Sequence, residues 1–308
     1  MALQNLYRCK MPDKRILLPM LAALMGVGFL SLMDAFMKGA ALAAGAYSAA
    51  VFRSAIAAVL ITPVWLGRGG QWPQRDVLRL HMLRGTVSAF MALSFFYALT
   101  KLPIAEAIAI SFIAPLIALY LAAILLGEEI RREAIAASVL GFAGSLIIVG
   151  SRLGAAEYDT ETLKGLAALL FSATLYAWNF IIIRKQALVS SPMEATTFHS
   201  GVGCVILLLA APWFLTIPAL PVFTDIAAAS VLTICGSMVL TWAYARAQAQ
   251  ILVPMEYTGF LWAGLFGWLF FQETITFTAL IGTALIVVGC WIAARPGPAL
   301  AKTEQTAI

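Results

Sequence analysis

The sequence predicts an all-α membrane protein of ten transmembrane helices, arranged as two inverted five-helix repeats with cytoplasmic N- and C-termini. Three observations predict this fold: the composition, the placement of basic residues and an internal repeat. Of the 308 residues, 62% are hydrophobic and only 11% are charged, whereas soluble domains carry roughly a quarter charged residues. Because one water-soluble core cannot bury so much apolar surface, we expect lipid to surround most of the chain.

Ten apolar stretches are long enough to cross a bilayer, which requires about 20 residues for a helix. The first five belong to a first repeat at 1–151. A connecting outer loop follows at 152–164, and the other five lie in a second repeat with a short cytoplasmic tail at 165–308. The predicted spans are 16–39, 46–66, 83–99, 104–126, 134–150, 165–183, 195–215, 226–247, 252–271 and 277–294.

Basic residues are concentrated in every second loop, as expected because cytoplasmic loops are enriched in Lys and Arg. With the N-terminus inside, only Lys101, Arg152 and Lys164 fall in outer loops. The residues assigned to cytoplasmic segments are Arg8, Lys10, Lys14, Arg15, Arg68, Arg75, Arg79, Arg84, Arg131, Arg132, Arg184, Lys185, Arg246, Arg295 and Lys302. A miscounted span would destroy this alternation.

An internal repeat recurs at an offset of about 146 residues. Phe52-Arg53-Ser54 returns as Phe198-His199-Ser200, and Glu128 returns as Glu273. Since each half has an odd number of spans, the second half must enter the membrane from the opposite side. Inverted repeats of this kind can expose one central site alternately to either side of a membrane.

Three charged residues lie within the first two spans, where an unpaired charge costs several kcal/mol. Asp34 and Lys38 are four residues apart on one helical face and can pair, and Arg53 lies at a similar depth. One interpretation is a cluster that binds the carboxylate and ammonium of a zwitterion, with Asp34 taking up a proton. The other is an ion network that pins the outer gate.

Further carboxylates lie near the ends of spans. We expect Glu128 and Glu273 to be structural, each capping the start of the following helix through free backbone N–H groups. Glu256 follows Pro254 near the inner end of the ninth span, and burial there suits a proton-coupling role. The alternative for Glu256 is an interfacial carboxylate in contact with water.

Aromatic and amide side chains in the spans are candidates for a substrate-binding wall with an apolar surface and a few polar groups. Helix packing and interfacial belts are the alternatives for such residues. His199, which replaces Arg53 in the repeat, is expected near the inner mouth. The remaining candidates are Tyr97, Tyr176, Trp178, Asn179, Trp242 and Tyr244.

Several classes of protein are not favoured. Four cysteines without paired spacing and two distant histidines predict neither a metal site nor a cofactor. The acidic clusters of a membrane-embedded enzyme and the selectivity motifs of a channel are not apparent. The basic residues are explained by topology, so no nucleic-acid partner is predicted.

Short motifs at equivalent places in the two halves resemble those of EamA-type members of the drug/metabolite transporter superfamily. They are Leu126-Gly127-Glu128, Gln272-Glu273 and Pro254-Met255-Glu256, together with the Tyr-Ala pairs at 97–98 and 244–245. The chain departs from the family pattern at Gln272, where Gly is usual, and at the charged Asp34.

Within that family the nearest resemblance is to the YddG-like amino-acid exporters, followed by S-adenosylmethionine uptake carriers. The resemblance implies alternating-access export of amino acids, aromatic and other neutral ones included, or of related small metabolites. The expected partners are a small-molecule substrate and the lipid bilayer, with a monomer compatible with these features. The expected location is the inner (plasma) membrane, as a multi-pass protein and not an enzyme.

Overall fold

The computed structural model describes residues 14–114, 160–246 and 258–293, with a few single positions between these ranges. The described residues form helices and their connections, without a strand. Glu128 and Glu256, predicted as a structural cap and a proton carrier, lie outside the described residues. So do most of the predicted spans 104–126 and 134–150.

The described helices follow one another with short connections. Five of them are long and apolar enough to cross a membrane, namely Leu17–Ala44, Ala46–Gly67, Arg75–Leu99, Thr160–Ala187 and Leu220–Tyr244. This finding supports a multi-pass membrane protein, while the count of ten spans stays a prediction. The helices are α1 Lys14–Ala44, α2 Ala46–Gly67, α3 Arg75–Leu99, α4 Ile104–Ser111, α5 Thr160–Ala187, α6 Pro192–Leu208, α7 Ala211–Phe214, α8 Leu220–Tyr244, α9 Gly259–Phe271 and α10 Phe277–Ala293.

Several helix ends differ from the apolar stretches that predict them. α3 begins at Arg75, eight residues before the predicted span, and α5 begins at Thr160 inside the predicted outer loop. A charged residue marks the end of an apolar stretch in the sequence. The helix can nevertheless continue through that residue, because its long side chain can extend to water. The predicted span 195–215 is divided into α6 and the short α7, which has Pro212 in its first turn, because proline has no N–H with which to continue the hydrogen bonds of α6.

The turns between helices have identifiable local causes. Gly45 alone separates α1 from α2, and its φ of 83° lies in a region that glycine enters without strain. Ser191 caps α6 by accepting a hydrogen bond from the backbone N–H of Glu194 at 3.2 Å, with Pro192 in the first turn. These caps fix where α2 and α6 enter the bundle.

The helices pack in two extensive pairs, α1 with α8 and α3 with α5. In the repeat, α1 corresponds to α5 and α3 to α8, so exchanging the halves converts one pair into the other. At the α1–α8 crossing, Gly26 and Gly236 bring the two backbones close together, with little room for a side chain on either. Small residues allow such close contact in lipid, where helices associate through packing.

Candidate functional site

A cavity of about 230 Å³ lies between the two halves of the bundle. Its described walls come from α1, α2, α3 and α4 in the first half and from α5, α6, α8 and the start of α9 in the second. Most of the wall is apolar, and the polar groups are few. Six of the residues predicted to bind substrate line it: Asp34, Arg53, Tyr176, Asn179, His199 and Tyr244.

Helical periodicity selects which side chains reach the cavity. On α1 the lining residues Val27, Ser31 and Asp34 follow one another at intervals of four and three, which places them on one face. On α5, Tyr176 and Asn179 line the cavity in the same way. Each helix therefore presents one stripe to the cavity and its other faces to neighbours or lipid.

Arg53 is buried, with 6% of its surface exposed. Its Nη1 donates a hydrogen bond to Thr233 Oγ1 at 3.1 Å, and its guanidinium lies 5.3 Å from the centre of the Phe96 ring. Asp34 lines the same cavity and lies within electrostatic range of Arg53. The cavity thus presents a positive and a negative group near one another, which suits a zwitterion.

Arg84 is a second buried arginine in the cavity wall, and sequence reasoning missed it by assigning it to a cytoplasmic loop. It is 4% exposed, and its Nη1 donates a hydrogen bond to Gln186 Oε1. One turn further along α3, Ser88 Oγ donates to Asn179 Oδ1 at 3.3 Å. The one signal for Arg84 in the sequence is its position directly before an apolar run that contains Gly85 and Ser88.

A buried polar chain continues from Arg84 toward the end of the bundle where α5 ends and α6 begins, which we call the inner end. Gln186 also binds the ring Nδ1 of His81, and His81 Nε2 lies 2.9 Å from Glu194 Oε1. The His81 ring stacks on Phe198 at a centroid distance of 4.6 Å. These contacts hold α3, α5 and α6 together and orient Arg84 at the cavity.

Lys38 lies one turn beyond Asp34 on α1, at the opposite end of the bundle, which we call the outer end. It pairs with Glu273 rather than with Asp34, and it donates a hydrogen bond to Leu102 O at 2.9 Å. Glu273 Oε2 accepts a hydrogen bond from the Ile104 N–H at 2.9 Å. This outer tie, formed by Lys38, Glu273, Leu102 and Ile104, joins α1, the start of α4 and the end of α9.

The helix that Glu273 caps is therefore α4, and not the following helix α10. Thr276 takes that place at α10, because its Oγ1 accepts a hydrogen bond from the Ala279 N–H at 3.2 Å. Thr276 directly precedes the first residue of α10, the usual position of a capping hydroxyl. The internal repeat therefore predicts that Glu273 is a helix cap, but it does not predict which helix Glu273 caps.

A second ion pair lies at the surface of the outer end. Lys101 Nζ is 2.6 Å from Glu161 Oε2, and its hydrogen bond to Glu161 raises the pKa of Lys101. Glu161 also pairs with Lys164 at 2.7 Å. These side chains are partly exposed, so we expect them to contribute little to stability.

Besides Lys38, three further predicted binding residues lie away from the central cavity. Tyr97 lies by an outer surface recess, with Lys101 Nζ 6.0 Å from its ring centre. Trp178 is 44% exposed, because it lies on the face of α5 opposite to the cavity. Trp242 packs beside Arg246, whose guanidinium is 4.1 Å from its ring centre.

Two related helical halves that enclose a largely apolar cavity with a few buried polar groups are typical of a membrane transporter. Comparison of the chain with known families agrees with that class. The chain belongs to the EamA-like transporter family, whose profile matches residues 17–150 and again residues 163–295. It is thus a member of the drug/metabolite transporter superfamily, and its family and relatives point to a transporter rather than an enzyme.

Several curated proteins are similar to the chain over most of its length. The pseudopaline exporter CntI of Pseudomonas aeruginosa is 26% identical over 261 residues, which cover 84% of this chain and 90% of that protein. The S-adenosylmethionine uptake transporter of Rickettsia conorii is 27% identical over 248 residues, 78% of this chain and 80% of that protein. A transporter of Helicobacter pylori is 29% identical over 69% of this chain and 72% of its own length.

A solved crystal structure has the same fold. It superposes with a TM-score of 0.64 at 19% sequence identity, covering 88% of this chain and 97% of the other. At that identity the likeness concerns the fold alone.

Proposed function

We propose that the protein is a secondary transporter that exports amino acids, aromatic and other neutral ones included, or related small metabolites by alternating access. The observation that carries this proposal is the central cavity, which both halves line and which contains Asp34 and Arg53. The proposed location is the inner membrane of a bacterial cell. The family supports transport, and the exporter of Pseudomonas aeruginosa supports export.

The cavity wall suits the parts of an amino acid. In this proposal Arg53 binds the carboxylate, since a guanidinium offers paired N–H donors, and Asp34 binds the ammonium. Phe95, Phe96 and Phe112 line the same cavity and provide an apolar surface for a side chain. A wall of this kind accepts many apolar side chains, so the proposed specificity is broad.

The outer tie supports alternating access with the outer side closed. Lys38 is buried, and its bonds to Glu273 and Leu102 join α1 to elements of both halves beyond the cavity. Opening toward the outside requires these bonds to break. The gate interpretation of Lys38 and the binding interpretation of Asp34 and Arg53 are therefore compatible.

Counterflow in proteoliposomes tests the proposal. Purified protein is reconstituted in vesicles loaded with one unlabelled amino acid, and entry of a radiolabelled one is followed across a panel of neutral, aromatic and charged amino acids. We expect exchange of several neutral and aromatic amino acids, reduced strongly by Arg53→Met. If vesicles with correctly folded protein exchange none of the panel, the amino-acid proposal is wrong.

The second candidate is uptake or exchange of S-adenosylmethionine. It is favoured by relatives in Rickettsia that carry this function in their names, at 25–27% identity. The same vesicles decide between the two candidates when S-adenosylmethionine is included in the panel. Exchange of S-adenosylmethionine without exchange of any amino acid would establish the second candidate.

Proton coupling through Asp34 and Glu256 is part of the proposal. Asp34 lines the cavity, where its carboxylate can gain or lose a proton when substrate and water enter or leave. An imposed pH difference across the vesicle membrane should therefore change the rate of net transport in the wild-type protein but not in Asp34→Asn. Transport by the wild-type protein that ignores the pH difference would remove both residues as proton carriers.

A further inference from the structure

The described residues of the cavity wall carry more positive than negative charge. Two arginines, Arg53 and Arg84, face the cavity together with one aspartate, Asp34, and one histidine, His199. A neutral zwitterion would match Arg53 and Asp34 in charge and leave Arg84 without a counter-ion. A buried charge is tolerated when it is paired or hydrogen-bonded, so the second arginine calls for a second anionic group.

Both guanidinium groups have donors that no described residue accepts. Arg53 binds Thr233 and Arg84 binds Gln186, each through Nη1. Arg53 Nε, Arg84 Nε and His199 Nδ1 are buried and have no hydrogen-bond partner among the described residues. Because a guanidinium has five N–H donors and leaving buried ones unmatched is costly, these groups are suited to an anionic ligand.

The helices that carry the two arginines, α2 and α3, approach the same point on α6. A methyl group at Gly203 would lie 3.9 Å from Gly85 O and 3.9 Å from Ser54 Oγ, and these residues directly follow Arg84 and Arg53. His199, one helical turn before Gly203, lies within electrostatic range of both arginines. Both arginines therefore line the cavity in the neighbourhood of His199, which puts them within reach of one small molecule.

We infer that the cavity binds a small zwitterion that carries one further anionic group, held between Arg53 and Arg84 with its ammonium near Asp34. The inference rests on the proposed function and names its substrate class. A carboxylate or a phosphate can serve as the further group, because a guanidinium binds either through two parallel hydrogen bonds. The apolar body of the molecule lies against Phe96 and its neighbours.

A matched set of ligands that differ only in one charged group tests the inference. The probes are phenylalanine, 4-carboxyphenylalanine, O-phosphotyrosine and 4-aminomethylphenylalanine, titrated into the full-length protein in nanodiscs by calorimetry. We expect 4-carboxyphenylalanine or O-phosphotyrosine to bind about tenfold more tightly than phenylalanine, since a hydrogen bond to a charged group contributes on this scale. The tighter of the two identifies the anionic group, and the cationic probe should bind most weakly.

Variants of Arg84 show whether this residue provides the preference. In Arg84→Met the ratio of affinities for the anionic probe and phenylalanine should fall about fivefold or more, whereas Arg84→Lys should retain most of it. Arg79→Met is the matched control, because Arg79 is an exposed arginine on the same helix and pairs at the surface with Asp76 at 3.4 Å. Gel filtration and thermal unfolding of each variant verify that it is folded.

The outcomes separate the inference from the proposed function. Equal affinities for all four probes, tightest binding of the cationic probe, or an unchanged ratio in folded Arg84→Met would overturn the inference. Exchange of neutral amino acids in vesicles would still support the proposed function in those cases. Binding of none of the probes by folded protein also overturns the inference, and counterflow with the wider panel then decides the function separately.

Discussion

Gln186 holds two buried groups that come from another helix. Its side chain is fully buried, accepting from Arg84 Nη1 and contacting His81 Nδ1. An amide is suited to this place because it offers an acceptor on one side and donors on the other. Gln186 therefore sets the orientation of a cavity arginine without touching the cavity itself.

Replacing Gln186 by Leu, which has nearly the same volume, should destabilise the protein by about 2 kcal/mol. The physical reason is that Arg84 and His81 stay buried while losing a partner, and an unsatisfied buried group costs on this scale. SDS-induced unfolding in mixed micelles measures the change. Gln74→Leu is the control, since Gln74 is exposed and its side chain makes no capping bond to α3. Equal stability of the two variants would contradict the assigned role.

The sequence predicts those residues of the site that are polar side chains within apolar helices. Asp34, Arg53 and Asn179 stand out on that basis, but the helical face decides which neighbours join them. Trp178 is adjacent to Asn179, and one residue along a helix turns the side chain by about 100°. Arg84 was missed because an arginine near the start of a span also satisfies the charge pattern of a cytoplasmic loop.

At the scale of elements, the end of α9 has an unusual feature. Gln272 adopts a φ of 55°, the one non-glycine residue with positive φ in the described part of the chain. The Gln272 N–H donates to Trp268 O and the Glu273 N–H donates to Gly267 O, both at 3.1 Å. The first of these bonds, from the left-handed residue to the carbonyl four residues earlier, is that of an αL motif, in which glycine is preferred. The departure from the family pattern at this position thus has a conformational cost.

Gln272→Gly should stabilise the protein by about 1 kcal/mol, the order of the cost of a left-handed conformation for a residue with a side chain. Thermal unfolding in detergent should show a higher midpoint for the variant. Gly45→Ala is the matched opposite, because Gly45 has a φ of 83° and nothing within 4 Å of an added methyl group, so only backbone strain is introduced. A lower midpoint for Gln272→Gly, or an unchanged one for Gly45→Ala, would contradict this explanation.

The apolar stretches of the sequence predict most of the described helices, but they predict some helix ends poorly. The helical stretches of α1, α2 and α10 begin or end within a few residues of the predicted spans. The beginnings of α3 and α5 differ more, since amphipathic first turns carry charges that a count of apolar residues excludes. Tertiary contacts, such as Glu273 capping α4, join residues 169 positions apart and leave no local signal.

For the molecule as a whole, the pairing of α1 with α8 and of α3 with α5 means that each half packs against the other through equivalent surfaces. The cavity lies between these surfaces, so in the proposed alternating-access mechanism a small rotation of one half against the other changes access to it from either end. The outer tie is one of the contacts between the halves that oppose such a rotation at the outer end. Its central ion pair is largely buried, and breaking a buried pair costs about 3 kcal/mol or more.

Glu273→Gln should therefore shift the protein toward states that are open at the outer end. A glutamine retains an acceptor for the Ile104 N–H but removes the charge that pairs with Lys38, so α4 keeps its cap while the tie weakens. The reporter is a cysteine at Ser237, which lines the cavity, in a background without the native cysteines. A membrane-impermeant thiol reagent applied from outside to right-side-out vesicles should label it several-fold faster in Glu273→Gln than in the parent.

The control for this experiment is Glu161→Gln, which removes ion pairs at the same end that are partly exposed at the surface. Because these pairs do not join α1 to α9, the rate of labelling at Ser237→Cys should equal that of the parent. If Glu161→Gln and Glu273→Gln accelerate labelling equally, the effect is general loosening and not release of the outer tie. An unchanged rate in Glu273→Gln would show that the tie does not limit access from that side. Faster labelling only in inside-out vesicles would reverse the orientation predicted from the basic loops.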